Sequence, residues 1–271
     1  MKQSQAKKHD NTMTNKILMR LIALVLGLLF LEILIIHSKN EQQKSVSNQV
    51  QTARIMANGD LLYHDGLYMS ALQADGSYDF TENFTYVKPW LKQADLVLGD
   101  FEGTINPDYP LSGYPLFNAP QSVTAAISDA GYDVMDLAHN HILDSGLEGA
   151  FTTADAFKEV GIDPVGVYEN PVRDKAPLFI KNVNGIKVAI LSYAYGFNGL
   201  ESNLTEKEIA NHLSNLDEKR MKVEIERAEK EADVTVIMPQ MGVEYRLEPT
   251  DEQVKLYHKM IDWGADIIFG G

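Results

Sequence analysis

Apolar positions fall in three textures along the chain. Ile17 to Ile36 is apolar apart from Arg20 and Glu32, and a helix of that length spans about 30 Å, the thickness of a bilayer's hydrocarbon. This run predicts one membrane-spanning helix, with Arg20 snorkelling to one face and Glu32 reaching the other. Residues 37–51 are rich in Gln, Ser and Asn, lack hydrophobic periodicity, and read as a polar tether. From Thr52 onward, short apolar runs alternate with helical patterns, which predicts an α/β domain over residues 52–271.

Within that domain, strands are expected at Ala53–Asn58, Leu96–Leu98, Val134–Ala138, Val165–Tyr168, Val234–Met238 and Ala265–Phe269. Leu178–Val183 and Ile186–Tyr193 flank Asn184-Gly185, a dipeptide suited to a type I′ turn, so they predict a hairpin. Pro120 and Gly131 bracket one helix, and a second runs from about Leu147 to Val160 before Gly161. Thr205–Glu208 and Thr250–Gln253 are capping boxes opening helices, and a charged helix covers Asp217–Glu231. The alternation predicts a mostly parallel sheet with an antiparallel hairpin. A buried strand ending on Gly270-Gly271 has no turn to lead into, so further domain is expected beyond Gly271.

Charge sharpens the membrane reading. The net charge is -14, yet Lys2, Lys7, Lys8, Lys16 and Arg20 oppose only Asp10 at the N-terminus, so residues 1–16 form a basic tail before an acidic body. The positive-inside rule then expects a cytoplasmic N-terminus and an extracytoplasmic domain on a single-pass anchor. A cleaved signal peptide is the rival; the apolar run is long for one, and no small-x-small site follows it. The acidic balance argues against nucleic acid as a partner. With no cysteine, disulfides, a cysteine nucleophile, thiolate zinc and iron–sulfur clusters are excluded, and any metal must sit on oxygen and nitrogen.

Candidate chemistry collects at four expected strand ends: Asn58-Gly59-Asp60, Gly99-Asp100-Phe101-Glu102-Gly103, His139-Asn140-His141 with Asp144, and Gln240-Met241-Gly242-Val243-Glu244-Tyr245. Loops at the carboxyl ends of neighbouring strands converge. Carboxylate, amide and imidazole groups there suit one or two divalent cations that polarise a phosphoryl oxygen and activate water. The structural alternative is that Asp60 and Asp100 cap turns, that Asn140 and His141 form a hydrogen-bonded turn, and that Gln240 and Glu244 are structural or face a substrate. Tyr63, Tyr68, Tyr109 and Tyr114, with Pro107, Pro110 and Pro115, are expected in core and turn packing, with polymer binding as the rival. His212 is expected in solvent.

These motifs, with the closing stretch Ile261–Gly271, resemble the CapA/PgsA family of capsule and poly-γ-glutamate synthesis proteins over roughly residues 52–271. The resemblance implies a calcineurin-like metallophosphatase α/β/β/α sandwich, incomplete here, with a divalent metal (Mn, Fe, Zn or Mg) at one edge. It implies Asp60 as first ligand, Asp100 and Glu102 in the second motif, and Asn140 and His141 in the third, His141 acting on a leaving group or holding phosphate. His139, Gln240 and Glu244 are the candidates for contacting substrate.

Two departures stand out. Leu61-Leu62 follow Asp60 where such enzymes have Asp-x-His, and Gln240-Met241 replace a family His-Trp. The family also continues past this point with a His-Pro-His stretch that residues 1–271 lack. Two functions remain: an accessory protein acting on an anionic surface polymer or its synthesis and export complex, or a metal-dependent phosphoesterase. Little or no catalysis is expected from residues 1–271 alone.

Overall fold

The computed structural model describes residues 19, 24–39 and 50–271. Residues 24–39 are helical with exposed apolar side chains, and this helix takes in residues 37–39, assigned above to the tether. Among the described residues, no helix is long and apolar enough to cross a membrane. The basic tail, the first part of the expected span and tether residues 40–49 lie outside the described residues. The chain divides into two compact units, Met1–Gln51 and Thr52–Gly271.

In the second unit, β1 (Ile55–Asp60), β2 (Leu96–Asp100), β3 (Val134–Asp136) and β4 (Asp163–Val165) form a parallel sheet in that order. A second sheet runs β5 (Ile180–Val183), β6 (Ile186–Ala194), β7 (Val234–Gln240), β8 (Ile267–Ile268), parallel except for the β5–β6 hairpin. The helices are α1 (Asp65–Ala71), α2 (Lys88–Leu91), α3 (Ser122–Ala130), α4 (Gly146–Glu159), α5 (Glu206–His212), α6 (Glu218–Glu231) and α7 (Asp251–Trp263).

Strand alternation sets the layers. Leu96, Leu98 and Val134 meet Val188, Ile190, Val236 and Met238 in a core between the sheets. Val97 and Met135 point the other way, onto Val123 and Ile127 of α3 and Phe157 of α4. On the far side, Ala189, Leu191 and Ile237 pack on Met221 and Ile225 of α6 and on Leu256 and Met260 of α7. Because successive strand residues face opposite sides, near-continuous apolar strands bury both faces, each buried Leu or Ile contributing about 1.5–3 kcal/mol. The outcome is a four-layer α/β/β/α sandwich.

Local sequence fixes the helix ends. Thr205 and Thr250 form complete capping boxes with Glu208 and Gln253, and the Asp217 carboxylate caps α6. Gly131 closes α3 at φ 108°, a left-handed conformation costly for other residues.

Strand boundaries differ from the sequence pattern for identifiable reasons. β4 is Asp163–Val165 rather than Val165–Tyr168, because Gly166 at φ +96° turns the chain so tightly against Ala138 that a Cβ would lie 2.7 Å from its nitrogen. Val167 and Tyr168 leave the sheet and pair with residues 212 and 213 instead. β3 stops at Asp136, whose carboxylate takes the Ala138 N–H at 2.7 Å. β1 starts at Ile55 and runs through Asp60 with an irregular register after Ala57, and β8 is only Ile267–Ile268. His212 is half-buried rather than solvated, its Nδ1 2.6 Å from the Tyr168 carbonyl and its ring edge-on to Phe151. Tyr63 and Tyr68 are core residues, whereas Tyr109 and Tyr114 are exposed.

Candidate functional site

The parallel register brings carboxylates side by side. Asp60 at the end of β1 is the partner of Asp100 at the end of β2, and Asp100 is the partner of Asp136 on β3. Asp100 and Asp136 are buried, whereas Asp60 is exposed at the rim. Burial, then the charges of Asp136, Asp60 and Glu102, push the Asp100 carboxyl well above the usual carboxylate range, and its Oδ1 has no hydrogen-bond partner. Burial and the neighbouring Asp60 raise Glu102 to about 7, with His141 partly offsetting them. Asp136 is also raised, chiefly by burial, although it accepts hydrogen bonds from the Ser192 hydroxyl and the Ala138 N–H.

The loop after β3 supplies the rest. His141 Nδ1 lies 2.7 Å from Asp144 Oδ2, its Nε2 lies 3.8 Å from Glu102 Oε1, and its ring meets the edge of Phe117 at 4.8 Å. Burial alone would lower the His141 pKa, but the Asp144 hydrogen bond and the charges of Asp144, Glu102 and Glu244 outweigh it, and the pKa is raised. Asn140 is buried and paired with Gln240 and Asn198. A cleft of about 410 Å³ opens above, lined by Asp60, Glu102, Asn140, Gln240, Glu244 and Arg246, among others.

Asp60, Asp100, Glu102, Asn140 and His141 therefore meet at one rim, and Glu244 is exposed on the facing lip of the cleft. One expectation is corrected. His139, proposed to contact substrate, is fully enclosed: its Nδ1 takes the His141 backbone N–H at 3.1 Å, its other nitrogen faces the Phe101–Gly103 backbone, and burial holds its pKa well below the ordinary value. Gln240 is at the cleft wall, and each end of its amide makes a hydrogen bond to Asn140, the structural role given above as one of its two alternatives.

His64, four residues after Asp60, is engaged elsewhere: its Nδ1 accepts the Asp65 N–H and caps α1. Sequence reasoning also passed over Asp136, Asn198 and Tyr195, the last of which lines the cleft. Asp136 was detectable as the ionisable residue inside the apolar Val134–Ala138 run. Asn198-Gly199 is a turn signal, and Asn198 takes φ 54°, but nothing in the sequence shows which side chains it meets.

Donor chemistry bears on whether the rim suits a cation. Oxygen-rich groups in mutual repulsion, with a buried carboxylate oxygen left unpaired, match a hard divalent ion. Among the described residues, however, no three Asp, Glu or His side chains converge in metal-binding geometry. The residues fit in kind, and offer an open pair rather than a closed cage.

The model of the family described as bacterial capsule synthesis protein PGA_cap matches residues 54–271. The chain belongs to this family. Capsule biosynthesis protein CapA of Bacillus anthracis is 34% identical over 196 residues, which is 69% of this chain and 47% of that protein. PGA biosynthesis protein CapA of Bacillus subtilis (strain 168) is 27% identical over 267 residues, covering 97% of this chain and 68% of the relative. The chain thus spans about half to two thirds of the length of these relatives. Among solved structures, the PGA_cap fold is similar to that of a Staphylococcus aureus protein described as a candidate 5′-nucleotidase, in complex with α-ketoglutarate. That match has a TM-score of 0.52 at 16% identity and covers 81% of this chain and 45% of the other.

Proposed function

We propose that this chain is a membrane-anchored, extracytoplasmic accessory protein of capsule or poly-γ-glutamate biosynthesis and export, whose metallophosphatase-like domain binds a divalent cation at the Asp60–Asp100–Glu102 rim. The observation that carries this reading is the buried Asp100 carboxyl, crowded by Asp60, Glu102 and Asp136 and left with an unpaired Oδ1. Family membership supplies the pathway. The anchor reading is supported by the basic tail and the apolar run from Ile17 to Ile36.

Asp60 and Asp100 are the groups that would hold the cation, with Glu102 and the Asn140 oxygen beside them. A bound cation supplies positive charge to an acidic cleft, letting an anionic polymer segment or phosphate approach. Asn140 and Gln240 line the cleft wall, and His141, held by Asp144, can donate or hold a proton at Nε2.

A second reading, a metal-dependent phosphoesterase acting on a cell-envelope phosphate ester, is favoured by the His141–Asp144 contact at 2.7 Å, which fixes an imidazole for acid–base work. Both readings are tested by expressing the gene with Asp60→Ala in a deletion strain, with bound Mn, Fe, Zn and Mg and phosphodiester turnover measured on the purified chain. Loss of surface polymer together with bound metal, without turnover in the parent, supports the accessory role. Metal-dependent turnover abolished by the substitution supports the enzyme. Wild-type polymer and metal content in the variant would overturn both.

A further inference from the structure

We propose that Gln240 is a positioning residue, a neutral amide clamp that fixes Asn140 across the junction of the two sheets rather than ligating a cation itself. The proposal deepens the cation-site reading and rests on it for its affinity prediction, but not for the clamp itself.

Gln240 ends β7 of the second sheet, and Asn140 lies in the loop after β3 of the first. The Asn140 backbone N–H donates to Gln240 Oε1 at 2.7 Å, and Gln240 Nε2 donates to Asn140 Oδ1 at 3.0 Å. Both side chains are buried, so the two bonds form away from competing water. A backbone N–H can meet only the oxygen end of the amide, so the Gln240 nitrogen must face Asn140 Oδ1, and this in turn settles which way the Asn140 amide points.

The third member is Asn198, whose Oδ1 accepts from Asn140 Nδ2 at 3.2 Å and whose Nδ2 lies 3.3 Å from His141 Nε2. Asn140 is thereby held through its backbone N–H, one Nδ2 hydrogen and Oδ1, and it lines the cleft beside Asp60 and Glu102. The Gln240 backbone is held as well, since its carbonyl accepts the Tyr195 N–H at 3.0 Å and its Cα is in register with Ala194. A Gln in which both amide atoms serve a neighbouring residue behaves as an outer support of a ligand, and loss of such support typically costs about 10–100-fold in metal affinity.

The test uses the full chain and Mn²⁺ alone as probe, with free Mn²⁺ followed by electron paramagnetic resonance. Gln240→Met should weaken binding about 10-fold or more, and Asn140→Ala should do likewise. The double variant should bind no more weakly than Asn140→Ala, because Gln240 acts through Asn140. Additive losses would make Gln240 an independent ligand and overturn the proposal, as would unchanged affinity in Gln240→Met.

Side-chain amide NMR of the metal-free chain separates the clamp from the cation reading. The Asn140 NH₂ should exchange with solvent about 10-fold faster in Gln240→Met than in the parent. If the parent binds no Mn²⁺ but shows this difference, the cation reading fails and the clamp stands; equal exchange rates overturn the clamp. Should Gln240→Met not fold, Gln240→Glu keeps the acceptor for the Asn140 N–H, removes the donor to Oδ1, and serves in the same NMR comparison.

Discussion

His141 Nδ1 and Asp144 Oδ2 lie 2.7 Å apart, and the same carboxylate oxygen accepts the Phe117 backbone N–H at 2.6 Å. One buried oxygen thus ties the imidazole to the wall that carries Phe117, whose ring packs edge-on against the imidazole. The contact leaves Nε2 facing the rim and raises the His141 pKa.

Removing that charge should reverse the shift. In Asp144→Asn the amide can still accept the Phe117 N–H, so the fold should lose only about 1 kcal/mol, while His141 should titrate at lower pH. A raised histidine pKa contributes stability that is full below the unfolded-state value and fades as pH rises through the folded-state value. Asp144→Asn should flatten that part of the stability profile. Proton NMR of the His141 ring across pH checks it, and an unchanged titration would contradict the assignment.

The rim carboxyls carry the same sign of linkage. Glu102 is raised from 4.5 to about 7, and Asp100 and Asp136 are raised too, so the folded chain binds more protons than the unfolded chain above the ordinary carboxylate range. Their contribution is full below the ordinary carboxylate values and is lost as pH rises toward 7 and beyond. Metal-free protein should therefore melt at a lower temperature at about pH 8 than at about pH 5, and millimolar Mn²⁺ should restore Tm mainly at the higher pH, where the carboxyls are ionised. Thermal melts with EDTA or Mn²⁺ at both pH values measure this, and a Tm that rises with pH in EDTA would refute it.

Much of this arrangement is visible in the sequence because it is local. The Asn184-Gly185 turn, the Thr205 and Thr250 capping boxes, and the apolar runs of β2, β6 and β7 each carry a signal within a few residues. Asp60, Asp100 and Asn140 were legible as polar groups after apolar runs, since strand ends converge. What escaped depends on distant neighbours. His139 reads like His141 in sequence, yet backbone from residues 101–103 closes over the former only. Gln240 is separated by 100 residues from the Asn140 to which its amide bonds, and Gly166 ends β4 early because of Ala138, just past the end of neighbouring β3.

Away from the rim, Arg173 is buried and donates from Nε to Glu224 Oε1 at 3.0 Å and from Nη2 to Oε2 at 2.7 Å, while the Tyr193 hydroxyl donates to Oε2 at 2.9 Å. Glu224→Ala leaves that guanidinium without a counter-charge and should cost about 3–5 kcal/mol. Replacing both partners with apolar residues, as in Arg173→Met with Glu224→Leu, should cost markedly less, because no buried charge is stranded. Urea unfolding of the two variants decides between them; equal destabilisation would mean that lost packing, not the stranded charge, sets the cost.

The cleft lip carries one more expectation. Among the described residues lining the cleft, Arg246 bears the positive charge, facing Asp60, Glu102, Glu244 and Glu248. An anion entering so acidic a cleft meets repulsion from these carboxylates, and Arg246 is placed to offset it with a bidentate, charge-assisted contact. In the presence of Mn²⁺, Arg246→Ala should bind inorganic phosphate or a short glutamate peptide about 10-fold more weakly, since a hydrogen bond to a charged group contributes about 1.5–3 kcal/mol. Arg246→Lys should recover part of the loss by charge alone. Calorimetric titration of the three proteins measures this, and the loss should shrink at high salt because the side chain is exposed. Equal affinity in the parent and Arg246→Ala would show that the anion is held by other groups.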